Sequence, residues 1–273
     1  MTTDLGRDEH GTGEPLVLLH GVATSRLVWR RVIGPLARRR RVIAVDVPGF
    51  GQSAPAGPGF ELRDVADRLI AGLGTERFDL VGHSLGGAVA VATAAAHPQA
   101  VRSLVLVAPA GLAPRATRVA AALGAAAEQA VYARRALGYQ LVARSRGRKA
   151  MFGTTVADAG RLHPDDARLL LDASGGARRI AAGVRRALEA DLRDDLVSAP
   201  LPVGLIWGTA DRVVPYAGLA ALRRLRPDAI VETLPDTGHI PQIEQPAAFV
   251  AALERILAAR EDGDLPVSRT DAE

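Results

Sequence analysis

Val81-Gly82-His83-Ser84-Leu85-Gly86-Gly87 stands between a strand-like run at 77–81 and an alanine-rich, helix-like run at 85–96. A serine hydroxyl is a weak nucleophile unless its oxygen is presented bare, close to a base and to donors for the charge that develops on the substrate. The Gly-x-Ser-x-Gly spacing supplies that presentation. It places Ser84 on a sharp strand-to-helix turn, the nucleophile elbow, where side chains at Gly82 and Gly86 would collide with the crossing strand and helix. The helix that starts just after Ser84 aims free backbone N–H groups, Leu85's first, at the position of an oxyanion. The competing reading is an ordinary glycine-rich turn leading into a buried helix. The rest of the chain decides between the two.

An elbow serine needs a base and an orienting acid, which in this architecture follow in the chain order Ser, Asp or Glu, His, each after a sheet strand. The apolar run 202–207 leads into Gly208-Thr209-Ala210-Asp211-Arg212-Val213-Val214-Pro215, which puts Asp211 at a strand's C-terminal end. The run 229–234 leads into Pro235-Asp236-Thr237-Gly238-His239-Ile240-Pro241, with His239 in the loop. All three groups fall on the rim where open α/β sheets keep their chemistry.

Competing residues fit less well. Asp236 is too close to His239 to orient it across a sheet and reads as a turn residue. Asp46 opens the turn-rich stretch 46–53, where its expected work is to accept backbone amides. The strand at 102–107 ends in Ala108-Pro109-Ala110 without a carboxylate, which leaves Asp211 as the acid. Among the six histidines, His10 lies in a polar N-terminal segment, His97 ends a helix beside Pro98, and His163 sits in the central helical region. His83 adjoins the serine, but alternation along a strand turns its ring away from the hydroxyl. The second oxyanion donor is expected from the loop after the first central strand, Leu16–Leu19: the backbone N–H of Val22, with Gly21 allowing the turn and His20 hydrogen-bonding the loop.

On these residues, together with 46–53 and 238–246, the chain resembles the α/β-hydrolase fold superfamily, in its branch of cap-bearing serine hydrolases. The resemblance implies a Ser84–His239–Asp211 triad that forms an acyl-enzyme, releases it with water and needs no cofactor. Serine at the elbow separates the chain from haloalkane dehalogenases and epoxide hydrolases, whose elbow residue is aspartate. One departure is that few residues precede Leu16, so the pair of antiparallel edge strands that usually opens this fold is not expected complete.

The 273 residues suit one α/β domain with an insertion. The absence of cysteine excludes disulfides and cysteine-based metal sites. The first residues lack the apolar core of a signal peptide and no apolar run approaches a membrane span, so a cytoplasmic protein without membrane insertion is expected. Lys149 is the one lysine among 34 basic residues, set against 30 acids. The arginines are interleaved with acids on amphipathic helices and aromatics are scarce, which argues against a nucleic-acid partner. The one basic block, Arg38–Arg41, joins a helix end to a strand, where cations favour the helix dipole.

Strands are expected at 16–19, 41–45, 77–81, 102–107, 202–207 and 229–234. They alternate with helices at 25–37, 61–73, 85–96, 216–225 and 246–259, the pattern of a mostly parallel sheet flanked by helices. Between 112 and 199 no strand-like run appears, and helices there are expected to break at Gly138, Gly153, His163-Pro164 and Ser174-Gly175-Gly176. The resulting organisation is a core at 1–110, a helical cap at 111–200, the rest of the core at 201–261 and a polar tail at 262–273. The expected substrate is a small, largely hydrophobic carboxylic ester or lactone. The alternatives are a carbon–carbon bond hydrolase of a diketone-like ring-fission product on the same triad, and a non-catalytic ligand-binding protein on the same fold.

Overall fold

The central apolar runs become strands buried on both faces, as parallel sheets require, while the run at 229–234 forms a partly exposed edge strand. The computed structural model describes residues 5–57, 60–74, 76–112, 135–173, 183, 185 and 189–261. Its sheet contains β1 (Arg7–His10), β2 (Pro15–Leu19), β3 (Arg41–Val45), β4 (Phe78–His83), β5 (Val101–Val107), β6 (Val203–Gly208) and β7 (Ile230–Leu234). The order is β1-β3-β2-β4-β5-β6-β7. Every pairing is parallel except β1 against β3, which is antiparallel. One antiparallel edge strand is therefore present. It was not among the expected strands because Arg-Asp-Glu-His carries no alternation: its side chains are largely solvated, and pairing with β3 places it.

Alternate residues of each strand feed two cores, the consequence of the two-residue pleat. Val17, Leu19, Leu80, Leu104 and Leu106 face one layer, with Val65 and Leu69 of α2 (Leu62–Leu73) and the buried face of α3 (Leu85–Ala96). Leu16, Leu18, Val81, Val105 and Val107 face the other, with Val32 and Leu36 of α1 (Arg30–Leu36) and Phe249 and Leu253 of a C-terminal helix (Pro246–Glu261). Expected helix 25–37 is split, because a 3-10 turn over Arg26–Trp29 precedes α1.

Between β5 and β6 the described elements are α4 (Arg135–Val142), α5 (Ser145–Phe152), α6 (Pro164–Ala173) and α7 (Arg193–Ser198). The break expected at Gly138 does not occur. Gly138 lies within α4, where an added Cβ would sit 3.1 Å from Leu171 of α6, so the glycine serves close helix packing rather than interruption. Helices do end at Gly153 and begin at Pro164. The break expected at 174–176 and the tail at 262–273 lie outside the described residues.

Three buried groups fasten this insertion. Arg148 donates to the carbonyls of Val142, Ala143 and Gly160. Asp166, nearly inaccessible, is clasped by Arg30 at 2.7 Å and Arg31 at 2.6 Å. Arg226 donates to the carbonyls of Leu196, Ala199 and Leu201 where the insertion returns to the sheet. The basic block does more than face a helix end. Arg40 turns inward to within 3.5 Å of the buried Asp79, which also has Arg102 at 3.4 Å and accepts the Ser103 hydroxyl at 2.7 Å. Beyond the return, α8 (Gly218–Leu225) follows β6, a short α9 (Pro241–Glu244) follows β7, and the C-terminal helix is α10.

Candidate active site

The elbow forms where β4 meets α3. Ser84 sits between them at φ 53° and ψ −117°, a left-handed backbone that a residue with a Cβ adopts only when its surroundings impose it. Those surroundings are explicit. The Ser84 amide donates to the Val107 carbonyl, and the Ser84 carbonyl accepts the amides of Gly87, Ala88 and Ala110. The two motif glycines let the elements cross: a Cβ on Gly82 would lie 2.4 Å from the Gly86 carbonyl oxygen, and one on Gly86 would lie 2.5 Å from that of Leu19.

Ser84, Asp211 and His239, from loops far apart in the chain, meet at the C-terminal edge of the sheet. His239 Nε2 lies 3.0 Å from Ser84 Oγ, and His239 Nδ1 lies 2.8 Å from Asp211 Oδ2. The other oxygen of Asp211 accepts the amides of Val213 and Val214 at 2.8 and 3.0 Å, so the carboxylate is aimed by its own loop. That loop is in turn held by Trp207, whose indole N–H donates to the Val214 carbonyl. All three side chains are buried.

The His20–Gly21–Val22 loop runs against the elbow: a Cβ on Gly21 would come within 3.0 Å of both Ser84 Cβ and His83 Nδ1. Val22 is the next residue of that loop. Leu85 is the first residue of α3, where helix geometry offers the amide no carbonyl one turn back. His20 is buried and accepts the Val47 amide on Nε2, which leaves Nδ1–H to donate to the Gly21 carbonyl. Asp46 accepts the amides of Arg26 and Gln52 and pairs with the Arg26 guanidinium, the loop-building work its position suggested.

His83, Glu244 and Thr155 also shape the site and were not singled out for this from sequence. The His83 ring hydrogen-bonds the histidine loop: its Nε2–H donates to the His239 carbonyl at 2.7 Å, and the two imidazole centroids are 4.8 Å apart. The Glu244 carboxylate accepts the amides of Gly238 and Ile240, on either side of His239, and that of Ala157 from the insertion. The Thr155 carbonyl accepts the His239 amide. Strand alternation hinted at His83, whose face is opposite to the serine. Glu244 stands a fixed five residues after His239, but nothing in a lone sequence says which amides a carboxylate will find.

Burial holds the His83 imidazole well below its ordinary range, with the neighbouring His239 adding to the effect, and burial lowers His20 likewise. Burial raises Glu244, against the pull of its three amide donors. Both histidines are thus neutral when folded and take up protons on unfolding. Stability is fully present above the unfolded histidine value of about 6.5 and falls as pH drops below it, by up to about 1.4 kcal/mol per pH unit for each group. Glu244 acts in the opposite sense, and only nearer the carboxylate range. Melting temperature is therefore expected to fall from pH 7 to pH 5, and His83→Asn to flatten that slope. An unchanged slope in thermal melts of the variant would contradict a neutral, buried His83.

Among the described residues no cluster of three or more His, Cys, Asp or Glu side chains is placed to hold a metal ion. No described helix is long and apolar enough to cross a membrane.

A sheet of this order with a serine elbow defines the α/β-hydrolase fold, and residues 14–246 match the family model for it. The chain belongs to that family. It is 31% identical to a pimeloyl-[acyl-carrier protein] methyl ester esterase of Aeromonas hydrophila, across 92% of this chain and 98% of the relative. In three dimensions it is similar to a thermophilic esterase from Thermogutta terrifontis, with TM-score 0.73 and 26% identity over 94% of this chain and 93% of the other. It is also similar to a meta-cleavage product hydrolase, CumD, with TM-score 0.74 and 26% identity over 93% and 94%. These three relatives are hydrolases by name, two esterases and a meta-cleavage product hydrolase.

Proposed function

We propose that the protein is a serine hydrolase that cleaves a small, largely hydrophobic carboxylic ester or lactone through an acyl-enzyme. The observation that carries this reading is the unbroken line of hydrogen bonds from Ser84 Oγ through the His239 ring to Asp211. In that line His239 takes the Ser84 proton as Oγ attacks the substrate carbonyl, and Asp211 holds the ring in the right tautomer and stabilises the imidazolium. The amides of Val22 and Leu85 receive the oxyanion. His239 then protonates the leaving oxygen, and a water activated by the same base releases the acid and restores the serine.

The apolar character of the substrate rests on what surrounds the serine. Leu85, the residue after it, is buried in one apolar cluster with Phe50 and Phe60, and Phe50 packs edge-on against both Phe60 and His20. Gly183 of the insertion approaches Leu85 and Phe50, so close that a Cβ there would lie 3.1 Å from each, which supports reading the insertion as a cap over the site. No cofactor is required by this chemistry.

The likeness to a meta-cleavage product hydrolase keeps a second reading in view, cleavage of a carbon–carbon bond in a diketone-like ring-fission product by the same three groups. A panel of p-nitrophenyl esters of graded acyl length, lactones and vinylogous diketones separates the two. The expected result is turnover of short and medium esters or lactones. Turnover confined to diketones would replace the first reading with the second, and a folded protein inert to the panel and to a fluorophosphonate would point to a binding protein.

A further inference from the structure

The histidine loop does not stand on the core alone. His239 donates its amide to the Thr155 carbonyl at 2.8 Å, and the Ala157 amide returns a bond of 2.9 Å to Glu244. The Glu244 oxygen that accepts Ala157 also accepts Gly238 at 2.9 Å, while the other accepts Ile240 at 3.1 Å. One carboxylate thereby holds both neighbours of His239 and the insertion together. The approach is close enough to demand glycine at 238, where a Cβ would lie 2.7 Å from the Ala157 nitrogen and 2.8 Å from the Thr155 oxygen. A third tie comes from the acid's side, since Arg212, next to Asp211, donates to the Gly153 carbonyl.

Residues 153–157 thus touch the loops of both the base and the acid through backbone atoms. Only the bond from the His239 amide to Thr155 is backbone to backbone; the others need the side chains of Glu244 and Arg212. A displacement of about 1 Å in a reacting group can cost on the order of a hundredfold in rate. We infer that Glu244 is a positioning residue that ties His239 to the 153–157 strap of the insertion, so that the seating of the strap sets where the imidazole stands relative to Ser84. The consequence is directional: this edge of the insertion is part of the catalytic frame and stays put during turnover, and any opening for substrate happens elsewhere along it. The inference rests on the hydrolase reading above.

Two substitutions address the two ends of the tie. Glu244→Gln keeps the volume, which matters because a cleft of about 520 Å³ lined by Val156, Ile243 and Glu244 opens on the outer side of the loop, but it sets an NH2 where a carboxylate oxygen accepts an amide. Ala157→Pro deletes the N–H that the insertion contributes. Wild-type protein is first titrated with a fluorophosphonate. Failure of the folded wild type to label at Ser84 sinks the hydrolase reading itself, an outcome separate from any difference in rate between wild type and variants. With p-nitrophenyl acetate and sites counted by the label, so that only competent molecules enter, both variants are expected to lose tenfold or more in kcat while KM stays within about threefold. A purely structural role would lower the melting temperature and leave kcat per labelled site unchanged. Wild-type kcat per site in Glu244→Gln overturns the inference whatever Ala157→Pro does. Wild-type kcat in a folded Ala157→Pro overturns the coupling to the insertion.

Discussion

Ser84→Ala is expected to abolish fluorophosphonate labelling and to lower ester turnover on the order of a million-fold, the size seen when the nucleophile of a serine triad is removed. The fold should survive, because what is lost is one hydroxyl and its bond to His239. The elbow backbone is pinned by the Val107 carbonyl and by the amides of Gly87, Ala88 and Ala110, none of which depends on the side chain. Alanine also carries the same Cβ as serine into the φ 53° conformation, so the backbone cost there is unchanged. His239→Ala should fall to a similar rate, since an unactivated hydroxyl does little more than none. The double variant should be no worse than either single one, because groups that act as a unit are not additive. The measurements are single-turnover rates, label incorporation and thermal melts side by side. Label retained in folded Ser84→Ala would place the nucleophile on another residue, and full additivity in the double variant would show that serine and histidine do not act together.

Much of this arrangement could be read in the chain because it obeys short-range rules. The central strands are apolar runs closed by loops that carry glycine, proline or aspartate, and Ser84, Asp211 and His239 each follow such a run. Topology brings the three loops to one edge, and the 3.0 and 2.8 Å contacts are found there in the structure. What was hidden depends on partners far away in sequence. β1 is polar and solvated, and only its backbone pairing with β3 makes it a strand. Gly138 looks like a helix breaker until Leu171 is seen packed against it. Glu244 is one polar residue within 238–246, yet its carboxylate is spent on three amides, one of them 87 residues away. Arg40 reads as one of four cations at a helix end and is in addition drawn in toward the buried Asp79. Long-range polar contacts leave no periodic trace, and that is where the reading from sequence stops.

Asp211→Asn tests the acid more sharply than removal of the side chain. The carboxylate has two tasks on two oxygens: Oδ1 accepts Val213 and Val214, and Oδ2 accepts His239 Nδ1–H. An asparagine has only one oxygen, and the side facing two amide donors will claim it, which turns the NH2 toward the ring. His239 must then present a lone pair at Nδ1 and carry its proton on Nε2, facing Ser84 Oγ. A ring in that tautomer cannot accept the serine proton, so turnover is expected to fall about ten-thousand-fold while the loop and the melting temperature are kept. Asp211→Ala would lose the loop bonds as well, so lowered stability should separate it from the asparagine variant in thermal melts. Near wild-type rates in Asp211→Asn would require another carboxylate to orient the base. Glu244 is poorly placed to do so, because its oxygens are engaged by the peptides around His239 rather than by the ring. On the proposed mechanism the two acids divide the labour on one histidine, Asp211 setting its proton and Glu244 its place.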